Sequence, residues 1–214
     1  MKISLADLRE NYTKGGLLKQ DLRSNPFDQF QKWLEEAVSA EVLEPNAMTL
    51  ATIDERGRPT ARIVLLKKVD DRGFIFFTNY SSRKGQNIAE NPYASLVFWW
   101  GDLERQIRIE GTVEKISDSE SDDYFYSRPI SSQLGAWASP QSDVVADRQF
   151  LEDRLAQITE EYLEQKIPRP SHWGGYRVVP DLIEFWQGRE SRLHDRLCYS
   201  LDDNDNWQID RLAP

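Results

Sequence analysis

The sequence predicts a mainly β domain, a meandering antiparallel barrel with helices lying outside it. At least six apolar segments of strand length follow one another, joined by short turns rich in Gly, Asp and Asn. The 214-residue chain is 39% hydrophobic and 11% aromatic, which is enough apolar material for a substantial core. No repeat, low-complexity tract or linker divides it, so residues 25–214 are predicted to form a single domain.

The chain is predicted to begin with a mobile, polar arm over residues 1–24, in which Gly15 and Gly16 form a hinge. A helix is predicted to follow. Asn25 can cap it, Pro26 suits its first position, and Asp28 complements the helix dipole.

The strands are predicted from period-two apolar patterns and from turn signals such as "DERGRP" and "DDNDN". In "ARIVLLKKV", Arg62 and Lys67 have opposite parity, so in one regular strand their side chains would point to opposite faces. Either a bulge intervenes or the two cations serve different ligand groups. The strand segments are AMTLATI, ARIVLLKKV, FIFFTN, YASLVFWW, RQIRIEGTVEKI, YRVVPDLIEFW, RLCYSL and WQIDRL.

Charge and composition together exclude several functional classes. The formal net charge of −9 argues against general binding of nucleic acid or of an anionic membrane. One cysteine, Cys198, excludes an internal disulfide, and no Cys/His spacing predicts a zinc or other metal site. With no secretory leader and no apolar run of membrane-spanning length, we expect a cytoplasmic protein. Residues 56–108 nevertheless carry ten Lys or Arg against five Asp or Glu, which predicts a cationic face.

The segment "NYSSRKG" is a candidate phosphate site. A Ser or Asn cap, free N–H groups at a helix start and the cations Arg83 and Lys84 together suit a phosphate. An ordinary capped surface helix is the alternative. A second candidate lies in "YFYSRPISSQLGAWASPQS", where Tyr124, Arg128 and Ser132 are four residues apart. Pro129 makes one continuous helix through them doubtful.

The segment "EFWQGRESRLHDR", residues 184–196, concentrates three arginines and a histidine in an acidic chain. We expect Arg192, His194 and Arg196 to alternate on one strand face, although a helix would align Arg189, Arg192 and Arg196 instead. Flanking arginines favour a neutral imidazole. No nucleophile elbow, P-loop or Rossmann fingerprint is present, so the pattern favours a bound, phosphorylated cofactor that performs the chemistry.

Several motifs in order, "RIVLLK", "FFTNYSSRKG", "SRPISSQLGAWASPQS", "WGGYRV" and "EFWQGRESRLHDR" with the closing "RLAP", resemble the pyridoxine/pyridoxamine 5′-phosphate oxidase family over essentially the whole chain. The resemblance implies a homodimer of FMN-binding split barrels with FMN at the subunit interface. It implies oxidation of pyridoxamine or pyridoxine 5′-phosphate to pyridoxal 5′-phosphate in vitamin B6 metabolism, with hydride passing from C4′ to flavin N5 and oxygen reduced to hydrogen peroxide.

Site residues follow from the same resemblance, with Arg192 and His194 in the catalytic role and Phe77 where the family often has Tyr. Substrate contacts are implied for Arg9, Tyr12, Lys67, Tyr124, Arg128, Ser132, Arg192 and His194. FMN contacts are implied for Arg62, Ile63, Val64, Leu65, Leu66, Lys67, Phe77, Thr78, Arg83, Lys84, Gln106, Gln141 and Ser142, and for Trp186 and Arg196 reaching from the second subunit.

Three other functions fit the same pattern less well. One is a non-catalytic split barrel that carries flavin or pyridoxal phosphate, another an NAD(P)H-dependent flavin reductase, and the third a haem-binding barrel. The segment 184–196 is the feature that favours the oxidase over all three.

Overall fold

The computed structural model describes residues 4, 8 and 11–214. The chain forms two compact units, each built from separate stretches of sequence. The first unit comprises the described residues up to 49 together with residues 95–110 and 180–214, and the second comprises residues 50–94 and 111–179. Whether residues 25–214 form a single domain stays a prediction. Among the described residues, no helix combines the length and the apolar character needed to cross a membrane.

In the described part of the chain, nine strands form one sheet in the order β2-β1-β5-β6-β7-β4-β3, and β8 pairs with both β7 and β9. Strands form where β-branched and aromatic residues alternate with polar ones, as in β6, whose Ile107 and Ile109 are buried. The strands are β1 Ala47–Ile53, β2 Pro59–Leu65, β3 Lys68–Asp70, β4 Gly73–Asn79, β5 Tyr93–Trp100, β6 Arg105–Lys115, β7 Trp173–Gln187, β8 Asp195–Leu201 and β9 Trp207–Leu212.

Helix α1 (Pro26–Ser39) begins at the capping residue that the sequence predicts. The Asn25 side chain accepts a hydrogen bond from the Phe27 N–H, and Pro26 occupies the first helical position, as predicted. The α-helices are α1 Pro26–Ser39, α2 Arg83–Glu90, α3 Asp118–Ser127, α4 Ile130–Ala138 and α5 Arg148–Glu161, and short 3₁₀ helices lie at Lys19–Asp21, Gly101–Leu103 and Glu190–Arg192.

In the second unit, β4 runs antiparallel to the first half of β7, with Phe77 opposite Gly175. A Cβ atom at Gly175 would overlap the Ile116 side chain, so the glycine leaves room for that side chain against β7. A core of Phe125, Leu134, Ile158, Ile167 and Trp173 joins α3, α4 and α5 to the start of β7. This core fixes the positions of the side chains that project from α3 and α4.

The core of the first unit is aromatic. Phe30 and Trp33 of α1 pack edge-on against Phe98 and Phe185, with ring centroids 5.1 Å apart in both pairs. The second half of β7 forms a hairpin with β8, and Trp186 lies opposite Arg196.

Two expectations about local structure were wrong, and one was confirmed. The segment 61–69 is not one strand, because β2 ends at Leu65 and β3 begins at Lys68, so parity does not relate Arg62 to Lys67. Helix α3 ends at Ser127 and α4 begins directly after Pro129, so no continuous helix runs through Tyr124, Arg128 and Ser132, as the proline indicated. Arg192 and His194 precede β8 and do not share a strand face with Arg196, since Arg192 lies in a 3₁₀ turn with a left-handed φ of 60°.

Candidate functional site

The second unit contains a cavity of about 720 Å³ whose described lining is strongly cationic. Of its described lining residues, four are basic and none is a carboxylate, although the chain as a whole is acidic. An anionic ligand would meet unopposed positive charge here. The lining residues are Arg62, Ile63, Val64, Leu65, Lys67, Phe77, Thr78, Asn79, Lys84, Tyr124, Arg128, Pro129, Ser132, Gly135, Ala136, Ser139, Gln141 and Trp173.

Lys84 lies in the first turn of α2, which Ser82 caps by accepting from the Gly85 N–H. Its ammonium donates to Thr78 Oγ1 at 3.2 Å and to Gln141 Oε1 at 3.0 Å, both neutral acceptors. Burial, with a smaller contribution from the positive charge of Arg62, lowers the pKa of Lys84 to about 8. The site therefore holds a cation that a bound anion would stabilise.

Arg62 on β2 is held by neutral groups of the same unit. Its guanidinium donates to the Leu50 carbonyl at 3.0 Å, to Thr52 Oγ1 at 2.9 Å and to Thr60 Oγ1 at 2.7 Å. Burial, and secondarily the charge of Arg83, lowers the pKa of Arg62. These contacts fix the orientation of the guanidinium and leave its charge for a ligand.

Arg128 forms a second cationic group in the same cavity. It lies between α3 and α4 with extended backbone, so Tyr124, Arg128 and Ser132 line one cavity without sharing a helix. Its Nη2 donates to the Ser132 carbonyl at 2.9 Å, and its guanidinium lies 4.5 Å from the centroid of the Trp173 ring. Its Nη1 is buried and has no hydrogen-bond partner among the residues that the structure describes. A buried charged donor without a partner is unfavourable and indicates a missing acceptor.

Aromatic rings form one wall of the cavity. Phe77 and Tyr124 stack with centroids 3.8 Å apart, and Trp173 lies nearly parallel to both rings. This rigid wall suits a flat ligand.

A separate aromatic cluster in the first unit contains His194. Its ring lies 4.6 Å from that of Trp186 and 5.4 Å from that of Tyr12. His194 Nδ1 accepts a hydrogen bond from the Arg189 N–H at 3.1 Å, so the neutral ring carries its proton on Nε2. Burial, followed by the charge of Arg192, lowers the pKa of His194 and favours the neutral ring.

Arg196, also in the first unit, is paired internally. Its Nε and Nη2 donate to the two oxygens of Glu184 at 2.7 and 2.9 Å, and its Nη1 donates to the Ala213 carbonyl at 2.9 Å. The Glu184 side chain is only 3% exposed and also accepts from Arg108. The hydrogen bonds to Glu184 raise the pKa of Arg196. Arg196 is thus largely occupied by the protein itself.

The structure groups most of the predicted site residues. Those that line the cavity are Arg62, Ile63, Val64, Leu65, Lys67, Phe77, Thr78, Lys84, Tyr124, Arg128, Ser132 and Gln141. Leu66 is instead buried in the core, and Gln106 is half-buried on β6. The Arg83 side chain is 63% exposed and pairs with Asp54, while its N–H donates to Ser142 Oγ. Arg9 lies outside the described residues.

Sequence reasoning missed Ser139 and Trp173, which also line the cavity. Trp173 had a detectable signal, since it precedes the Gly174–Gly175 pair at the start of β7, where glycines allow close approach.

Comparison with known families decides the affiliation. Residues 34–162 match the pyridoxamine 5′-phosphate oxidase family model, and residues 173–214 match the pyridoxine 5′-phosphate oxidase C-terminal dimerisation region. The chain belongs to the pyridoxine/pyridoxamine 5′-phosphate oxidase family. The resemblance carried by the sequence motifs is thereby confirmed.

Similarity to individual members of this oxidase family supports the same assignment. The chain is 59% identical to the pyridoxine/pyridoxamine 5′-phosphate oxidase of Trichormus variabilis and 61% identical to that of Microcystis aeruginosa, with all of each chain covered. It is similar to the crystal structure of PhzG from Burkholderia lata 383 in complex with tetrahydrophenazine-1-carboxylic acid, with a TM-score of 0.87 and 36% identity over 92% of this chain and 98% of that one.

The fold prediction is confirmed as well: a mainly β split barrel with flanking helices. A pyridoxamine 5′-phosphate oxidase-related, FMN-binding protein from Nostoc punctiforme shares the fold, with a TM-score of 0.67 and 17% identity over 86% of this chain and 97% of that one. The matched C-terminal dimerisation region supports the predicted homodimer.

Proposed function

We propose that this chain is an FMN-dependent oxidase that converts pyridoxamine or pyridoxine 5′-phosphate to pyridoxal 5′-phosphate. The observation that carries the proposal is the cavity of the second unit, which has four cationic side chains, no carboxylate among its described lining residues and a buried Arg128 donor without a partner. Full-length identity of about 60% to curated oxidases of this specificity supports it.

The residues present fit FMN. The cavity volume of about 720 Å³ lies within the usual range for ligand pockets, roughly 300–1,000 Å³. Lys84 and Arg62, held by Thr78, Gln141, Thr52 and Thr60, would bind the FMN phosphate. Bound there, FMN would supply the hydride acceptor for C4′ of the substrate and would pass the electrons to oxygen, giving hydrogen peroxide.

The substrate phosphate is assigned to the second cationic group. Arg128 Nη1 would donate to it, and Lys67, Tyr124 and Ser132 line the same cavity. With the phosphate held by charge-assisted hydrogen bonds, the aromatic wall would orient the substrate ring. The proposal thus gives Arg62 and Lys67 different phosphates to bind.

His194 and Arg192 are assigned to the substrate ring. A neutral imidazole with its proton on Nε2 can donate a hydrogen bond without adding a buried charge. Arg192 adds a fixed positive charge beside it. Because little proton transfer is needed, these residues would act mainly by holding the substrate in position.

The finer assignments belong to the same proposal. FMN would lie at the interface of a homodimer, where Trp186 and Arg196 would contact it from the second subunit. Gln106 would contact the flavin ring. For Arg196, this requires that the guanidinium meet FMN while it stays paired with Glu184. The cytoplasmic location stays a prediction of the sequence.

One experiment tests the proposal. The full chain is purified, its visible spectrum is recorded, and hydrogen peroxide and pyridoxal 5′-phosphate are measured with pyridoxamine 5′-phosphate as substrate. We expect a flavin spectrum and equal amounts of the two products. Flavin without peroxide would indicate a carrier, NADH oxidation without a B6 substrate would indicate a flavin reductase, and a Soret band would indicate a haem protein. Each of these results would overturn the proposal.

A further inference from the structure

Residues 11–17, which we term the N-terminal strap, are fastened to the first unit by carboxylates. The Thr13 N–H donates to both oxygens of Glu104, at 2.9 and 3.0 Å, and the Lys14 N–H donates to Oε2 at 3.0 Å. Further along, the Leu17 N–H donates to Asp195 Oδ2 at 2.9 Å, and the Leu17 side chain is buried. The Glu104 carboxylate is therefore the attachment point nearest to Tyr12.

Hydrogen bonds hold the middle of the strap in place more than packing does. Residues 13–16 are exposed, and a cavity of about 530 Å³ is lined by strap residues 12–15 together with residues of the loop 189–193. Few apolar contacts are available to replace a lost hydrogen bond in such a segment. Removing the Glu104 carboxylate should therefore release residues 13–14.

Glu104 also holds the chain that leads into the His194 loop. Its carbonyl accepts from the Gly188 N–H at 2.8 Å and from Gln187 Nε2 at 3.2 Å. Its backbone has a left-handed φ of 54° and follows the 3₁₀ helix Gly101–Leu103. One residue thus fastens the strap through its side chain and the end of β7 through its backbone.

The segment that Glu104 fastens carries Tyr12. The Tyr12 ring packs edge-on against Trp186, with centroids 5.6 Å apart, and against His194 at 5.4 Å. A Cβ atom at Gly188 would lie 2.8 Å from the Tyr12 ring, so the glycine permits this close contact. The position of Tyr12 depends on where residues 13 and 14 are held.

We infer that Glu104 is a positioning residue that sets the affinity for the B6 substrate by holding Tyr12 against His194 and Trp186. The inference rests on the proposed function, which places the substrate ring beside His194. Glu104 needs no contact with the substrate, because its carboxylate is occupied by the N–H groups of Thr13 and Lys14.

The test compares full-length, FMN-loaded Glu104→Ala and Glu104→Gln with the control Asp102→Asn, which alters an exposed carboxylate of the adjacent turn. For Glu104→Ala we expect KM for pyridoxamine 5′-phosphate to rise about tenfold, with kcat within about twofold, because a uniform binding interaction is lost. Glu104→Gln keeps one acceptor oxygen and should raise KM about threefold. The control should match the wild type.

A second measurement needs no activity. Trypsin cleavage of the Lys14–Gly15 bond, followed by mass spectrometry, should be at least about fivefold faster in both Glu104 variants than in Asp102→Asn. In a Tyr12→Ala background, Glu104→Ala should add less than a twofold rise in KM if it acts through Tyr12. Should Glu104→Ala fail to fold, Glu104→Gln carries both measurements.

The outcomes separate this inference from the proposed function. Unchanged cleavage at Lys14, or an effect on KM that is additive with Tyr12→Ala, would overturn the inference even in an active oxidase. An inactive wild type would overturn the proposed function, while faster cleavage in the Glu104 variants alone would still support the fastening contact. Faster cleavage in an active variant with unchanged KM would overturn the link to substrate affinity.

Discussion

Arg128 and Arg196 lie in different units of the chain and have opposite surroundings. Arg196 donates to both oxygens of the buried Glu184 and to a backbone carbonyl, so its charge is compensated within the protein. Arg128 donates to one carbonyl, lies over Trp173 and has a buried Nη1 with no partner in the described part of the chain. The two arginines, both predicted as site residues, therefore differ in how far the protein itself compensates their charge.

From this difference we expect the pairing of a cation to decide whether its removal affects mainly stability or mainly ligand affinity. A buried ion pair has its compensating charge in the fold, and breaking it destabilises the protein. A buried cation among neutral acceptors is stabilised only when an anion arrives, so its removal should affect ligand affinity more than stability. The following substitutions, from the largest expected effect to the smallest, test this division.

Glu184→Gln should lower the free energy of unfolding by about 3 kcal/mol, because it leaves Arg196 and Arg108 without their buried counter-charge. Urea denaturation at saturating FMN measures this effect. Glu110→Gln is the matched control, since it removes a half-exposed partner of Arg108 and should cost at most about 1 kcal/mol. Equal losses in the two variants would contradict a structural role specific to the buried pair.

Arg128→Met should lower kcat/KM for pyridoxamine 5′-phosphate about 100-fold, because a charged donor to the phosphate is lost. The free energy of unfolding should change by less than about 1 kcal/mol, because removal of an unpaired buried donor offsets the loss of the contacts with Ser132 and Trp173. Binding of pyridoxal 5′-phosphate should weaken correspondingly, and binding of unphosphorylated pyridoxal should not. If both ligands weaken equally, Arg128 does not bind the phosphate.

Lys84→Ala should raise the dissociation constant of FMN about 30-fold, because a buried cation at the phosphate is lost. Arg83→Ala should change it less than about threefold, because the Arg83 side chain is exposed and pairs with Asp54. Titration of the apoprotein with FMN, followed by fluorescence quenching, compares the two neighbours. A larger loss in Arg83→Ala would reverse their assignment.

His194→Ala should lower kcat about tenfold while FMN stays bound, since the imidazole is assigned to the substrate and not to the cofactor. Turnover and flavin absorbance after gel filtration measure the two effects separately. The variant would also leave the Arg189 N–H without its acceptor, so the melting temperature is recorded alongside. Loss of flavin together with turnover would refute this separation of roles.

The affinity of the apoprotein for FMN should fall as the pH rises through about 8. Burial lowers the pKa of Lys84 to about 8, so above this pH the ammonium is lost, whereas bound phosphate favours the charged form. One titrating proton limits the slope to about tenfold per pH unit. Lys84→Arg should flatten the profile between pH 7 and 9.5, and an unchanged slope in that variant would assign the titration to another group.

Much of the fold followed from local pattern. The alternation in β6 was enough to predict a strand, and the capping sequence at Asn25 was enough to predict the start of α1. Both predictions depend only on residues that are neighbours in the sequence. The break between β2 and β3 could not be predicted from the sequence, because no Gly or Pro marks it. The turn at Ser191 and Arg192 was missed for a related reason: both adopt left-handed φ angles that non-glycine residues seldom take.

The composition of the site was largely predicted through the resemblance, but its electrostatics were not. Whether the charge of Arg128 or Arg196 is balanced by a carboxylate depends on contacts between residues that are distant in the sequence. A count of charged residues does not show such contacts. For Arg196 a signal existed, because the β7–β8 hairpin sets Glu184 opposite Cys198, two residues from Arg196 on the same face. For Arg128 the sequence predicted the break at Pro129, but the packing of its guanidinium against Trp173 is visible only in the structure.

The cationic cavity has a consequence for the supply of folded protein. Arg62 and Lys84 repel one another inside it, so the empty protein carries a penalty that a bound anion removes. A ligand that binds only the native state stabilises it by mass action, in proportion to the logarithm of its concentration. If FMN is that ligand, its concentration would govern how much of the chain survives proteolysis as well as what fraction of the molecules is active.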